Sequence, residues 1–133
     1  MTTGEPAPVR SIFAVAAGFF TTAILSLGGD IVFRNVAPTA FDTNGRPTSA
    51  GGLMVMLAYT ALFGFVGGYV TARIAIRRPM AHALAVGCLA LVFGIATAII
   101  AWSTAPAWYH LTTLVLTVPV AVAGGKLREW QSR

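Results

Sequence analysis

A small set of residues in this chain could do chemistry: two histidines, one cysteine, a run of arginines, and a proline among threonines. His82 and His110 invite a haem, since paired axial histidines are a common way for helices to hold one. The pair must then lie at one depth, yet each opens a different apolar run, and successive runs cross a membrane in opposite directions. That places His82 and His110 most of a bilayer apart. A single histidine could still hold a pigment of the chlorophyll type or contact a partner. There is no His-Glu-x-x-His and no Ser, His and Asp at a common depth, so neither metal-assisted nor nucleophilic hydrolysis is expected, and an enzyme is not. Cys88 is alone, which excludes an intrachain disulfide and any Cys-x-x-Cys site. Cofactors and metals are not expected.

Pro119 lies well inside an apolar run, where it cannot donate to the carbonyl of Val115 and should kink the helix. Thr112, Thr113 and Thr117 offer hydroxyls to backbone groups exposed there. Transporters use such broken helices for binding sites. Coupled transport usually also needs an ionisable group deep in the membrane, and the central two thirds of every apolar run lack Asp, Glu, Lys and Arg. Small four-helix multidrug exporters rely on a carboxylate in their first helix. Gly18 to Ala23 holds no substitute for it.

Arg73, Arg77 and Arg78 have three readings: topology anchors at a membrane face, contacts for anionic lipid worth about 1 kcal/mol each near a charged surface, or a docking site for an acidic partner. Lys126 and Arg128 emerge at the same face and would join them. The four-residue spacing of Arg73 and Arg77 predicts a helix that extends from the membrane and ends at Pro79.

Behind these residues stands a very apolar chain. Of 133 residues, 56% are hydrophobic and 10% charged, where a soluble domain carries about a quarter charged. The mean hydropathy is +0.77. The net charge of +5 does not argue for nucleic acid, because the basic residues sit in loops between apolar runs and form no polar face. A hydrocarbon core of about 30 Å takes about 20 helical residues, and four charge-free runs of that length are present, over about 11–29, 51–73, 80–102 and 107–125. The first, preceded by Arg10, also resembles a secretory signal. Since three further runs give it helices to pack against, we read it as retained.

Lys and Arg resist translocation more than carboxylates do. Arg10, Arg73, Arg77, Arg78, Lys126, Arg128 and Arg133 fall on one side of a four-helix arrangement, and only Arg34 and Arg46 on the other. Both termini are therefore expected in the cytoplasm, with an exterior loop over about 30–50 that Pro38, Asn44-Gly45 and Pro47 should make mostly irregular. Asp30 and Arg34 are spaced for an i,i+4 ion pair on a short extension of the first helix. Trp102, Trp108 and Tyr109 cluster where an outer aromatic belt would lie. Gly64 with Gly68, Gly87 with Gly94, and Ala121 with Gly125 are spaced to let helix backbones approach, within one bundle, in self-association or against another subunit. Gly67-Gly68 and Gly124-Gly125 each precede a basic segment and hint at a duplicated hairpin.

The segment Gly67-Gly68-Tyr-Val-Thr-Ala-Arg73-Ile-Ala75, its basic turn and His82-Ala-Leu-Ala-Val-Gly87 resemble the middle hairpin of small four-helix proteins of bacterial inner membranes. That resemblance implies the location and a pair of helical hairpins. It carries no assigned activity. The expectation is an all-α bundle of four antiparallel transmembrane helices, acting as a structural or accessory subunit of a membrane complex. The alternatives are a minimal oligomeric transporter or channel, and a subunit holding a pigment or quinone.

Overall fold

The computed structural model describes residues 7–133, and its framework is four helices: α1 (Ala7–Val36), α2 (Ala50–Ile74), α3 (Pro79–Ile100) and α4 (Ala107–Gln131). Each is long and apolar enough to cross a membrane. Among the described residues the only extended pairing is one bridge between Phe41 and Pro47.

The helix ends follow local chemistry. α1 runs past the charge-free stretch through Asp30 and Arg34, because polar side chains end a hydropathy run without breaking a helix. It stops before Pro38, whose ring disfavours helical geometry in the residue ahead. The expected exterior loop is thus shorter than its predicted bounds. It is also better ordered: the carboxylate of Asp42 accepts from the amides of Asn44 and Arg46, both at 2.8 Å, and Gly45 supplies the left-handed turn residue at φ 74°. Ser49 starts α2, its hydroxyl accepting from the amide of Gly52 at 3.1 Å.

Pro79 has the opposite role to the expected one. It opens α3 at the first helical position, where a missing N–H costs nothing, and α2 has already ended at Ile74. Arg73 and Arg77 therefore do not share a helix, and Arg78 turns the chain in left-handed geometry at φ 51°. At the other end, α3 stops at Ile100, two residues short of the expected bound, and a single 3-10 turn over Trp102–Thr104 leads into the short connection. α4 continues through Pro119 and beyond the predicted end near 125, into the charged tail.

α1 packs on α2 and α3, α4 packs on α2 and α3, and α2 also meets α3. At the end of the bundle that carries Arg10, small residues bring the backbones together. Gly18-x-x-x-Thr22 of α1 and Gly67-x-x-x-Thr71 of α2 interlock: a Cβ on Gly18 would lie 2.6 Å from the carbonyl oxygen of Gly67, and one on Gly67 would lie 2.8 Å from that of Gly18. The Thr22 hydroxyl reaches the carbonyls of Gly18 (3.1 Å) and, across the interface, Phe63 (3.3 Å). Gly68, on the next face of α2, meets the backbone of Ala121, and Gly124 meets the backbone of Phe65 and Tyr69. One glycine each of Gly67-Gly68 and Gly124-Gly125 thus serves the α2–α4 contact, while Gly67 faces α1 and Gly125 faces α3.

Candidate functional site

Next to that tight contact lies a half-open cavity of about 510 Å³ with contributions from all four helices. Its walls are mainly apolar: Phe19 of α1, Leu57 of α2, Phe93 and Ala98 of α3, and Leu114 of α4 among them. The seam between α1 and α3 is closed by Phe19 and Phe93, whose ring centroids lie 4.9 Å apart. Gly94 lines the cavity beside Leu114, and Gly64 lines it too, where an added Cβ would lie 3.5 Å from Val120. The cavity follows from side-chain size. Where glycine, alanine and threonine interlock the backbones touch, and where rings and leucines face inward they cannot.

Two threonines of α4 on the walls spend their hydroxyl protons on their own helix. Thr113 donates to the carbonyl of Tyr109 and Thr117 to that of Thr113, each at 2.8 Å. Neither serves the carbonyl of Val115 that Pro119 leaves without its donor, so the predicted compensation at the proline is not the one made.

The polar end of the cavity lies toward the 37–49 loop. Asp30 lines it, half-buried, and the Tyr59 hydroxyl donates to its carboxylate. The expected Asp30–Arg34 ion pair is not formed, because the Arg34 guanidinium stands over the Phe41 ring, 5.4 Å from its centroid. Arg34, Arg46 and Asn44 line an adjoining polar recess that shares Met56, Thr104 and Tyr109 with the cavity. His110 is 8% exposed and stacks on Trp102, centroids 5.2 Å apart. Its Nε2 is buried with no hydrogen-bond partner among the described residues. His82 lies far along α3 from this site and bonds the carbonyl of Arg78 at 3.0 Å. No group of three or more His, Cys, Asp or Glu converges among the described residues.

The remaining predicted residues fall into two groups. Gly87 rests on Val118 and Ala121 of α4, and Gly125 against Ala83 of α3, which places both in helix contacts. Arg73, Arg77, Arg78 and Lys126 are exposed and Arg128 half-buried, all outside the cavity. Arg10 shares their end of the bundle and donates through Nε to the carbonyl of Ile74 at 3.1 Å, closing the C-terminus of α2. Asp30, Tyr59 and Tyr109 were not predicted as site residues. Asp30 carried a signal, an acid on the edge of an apolar run, but its partner lies 29 residues away and no local spacing reveals it.

Comparison with protein-family models, with curated proteins and with solved structures returned no match.

Proposed function

We propose that the chain is a multi-pass protein of a bacterial inner membrane that binds a small, mainly apolar molecule between its helices and has no catalysis of its own. In this reading the helices form an antiparallel bundle, with both termini and the basic end in the cytoplasm and the 37–49 loop outside. The contact pairs support the antiparallel order: Gly18 meets Thr71, whereas Gly29, farther along α1, meets Phe63 and Tyr59. The basic residues support the orientation.

The observation that carries the function is the asymmetry of the bundle. One half is closed by backbone contacts at Gly18, Gly67, Gly68 and Gly124, and the other half holds a half-open cavity with a polar end. A pre-formed apolar space with a few polar groups at one end is the usual form of a small-molecule site. The test is titration of the protein in mild detergent with N-phenyl-1-naphthylamine, a neutral dye that brightens in apolar surroundings. Saturable binding that Ala98→Phe weakens is expected. Partitioning without saturation, identical for both chains, contradicts the reading.

A second reading, an accessory subunit of a membrane complex, is favoured by the outer face of α1, where Ile12, Phe13, Phe20, Ile24 and Leu27 are all exposed. Such a face suits another helix as well as lipid. Mass spectrometry of proteins that co-purify in mild detergent tests it: a fixed partner lost on Phe20→Ala and Ile24→Ala supports it, and a protein isolated alone counts against it.

A further inference from the structure

Resting on the reading of the cavity as a binding site, we propose that its occupant is an amphipathic monocation. The ligand has an apolar body that fills the space near Phe93 and Leu114, and an ammonium or phosphonium group that lies against Asp30.

Three observations carry the charge assignment. Asp30 is the one carboxylate on the cavity wall, and no lysine or arginine lines that wall. Among the described residues, Asp30 makes one hydrogen bond, from Tyr59, and no ion pair, so its charge lacks a cationic partner. Asp30 stands half-buried at the polar end of the cavity, where its carboxylate can meet the head of a ligand whose body fills the apolar space. The third observation is the company it keeps. Tyr109 lines the cavity with it, and an aromatic ring attracts a cation that has left water, while Tyr59 holds the carboxylate through its hydroxyl.

The surrounding titratable and charged groups fix where a ligand of the opposite sign would go. Arg34, one turn along α1, is drawn to Phe41, and Arg46 belongs to the loop; both line the recess outside the cavity. An anion would keep its head in that recess and send only a tail inward, with Asp30 opposing any deeper entry. A cation places its charge inside. The Thr113 and Thr117 hydroxyls already donate to their own helix, so neither offers its proton to the ligand's body.

The experiment uses the full chain in mild detergent and three probes of similar apolar character: tetraphenylphosphonium, tetraphenylborate and the neutral naphthylamine dye. Each is titrated against the native chain and Asp30→Asn, so that partitioning into detergent cancels. Loss of a charge-assisted contact should weaken the phosphonium by about tenfold or more, with the neutral dye within about twofold. Asp30→Glu should restore most of the loss. Should Asp30→Asn fail to fold, Ser26→Lys, which sets an ammonium on the cavity wall one turn from Asp30, should exclude the phosphonium and spare the dye. Unchanged phosphonium affinity in these variants overturns the proposal. So does binding of the borate alone, weakened by Arg34→Gln. If the dye binds the native chain and the phosphonium shows no dependence on Asp30, the charge assignment fails and the cavity reading stands. If the dye does not saturate, both fail.

Discussion

Asp30 and His110 present the same physical problem with opposite outcomes. Each is a polar side chain set among apolar ones, but Asp30 receives a hydrogen bond from Tyr59 while the Nε2 of His110 has none among the described residues. A buried group without a partner costs about 1–3 kcal/mol, and replacing it by an apolar group of similar shape removes that cost. His110→Phe keeps a flat ring against Trp102. It should therefore raise resistance to unfolding in mild detergent by about 1 kcal/mol, read as a higher midpoint in heat or denaturant. A lower midpoint would show that the imidazole makes a bond its environment depends on.

At the scale of the elements, the decisive feature is the interlock of α1 and α2. A side chain on Gly18 would meet the Thr71 side chain and the Gly67 carbonyl, with backbone on the far side that cannot yield. Gly28, on the same helix, has nothing within 4 Å of the position a Cβ would take. Gly18→Val should cost about 3 kcal/mol or more through overpacking, whereas Gly28→Ala should be neutral or stabilise by up to about 1 kcal/mol. Unfolding midpoints of the two variants check the contrast, and equal effects would contradict the close approach. Small residues announce such contacts in a sequence, but they do not say which neighbour each one meets. Gly67 and Gly68 are adjacent and serve different helices, α1 and α4. The spans were legible because charge-free runs of the required length are rare by chance. The spacing of Asp30 and Arg34 announced that α1 continues past its apolar run, but the ion pair expected there is not formed and Val36 as the end point was not legible, since helix continuity depends on backbone geometry. Nor was the cavity: its lining is chosen by the rotation of four helices about their axes, and Asp30 meets Tyr59 only once those rotations are set.

Across the whole molecule, charge and packing share one axis. The end closed by small residues also carries Arg10, Arg73, Arg77, Arg78, Lys126 and Arg128, and the end that holds the cavity carries Trp102, Trp108 and Tyr109. If the basic end fixes orientation, replacing Arg73, Arg77 and Arg78 together by Gln should yield a mixed population. A Thr43→Cys label in the Cys88→Ser chain, added with a membrane-impermeant maleimide to right-side-out vesicles, should fall in yield as orientation is lost. Full labelling in the triple variant would assign those arginines to lipid or a partner alone. Orientation and cavity meet at one position that a single measurement can read. Thr60 lines the cavity, so Thr60→Cys in the Cys88→Ser chain places a thiol within it. A small impermeant methanethiosulfonate added outside intact cells should modify that thiol, and saturating naphthylamine dye should slow the reaction. Modification only after access is given to the cytoplasmic face, or at a rate the dye leaves unchanged, would contradict the account.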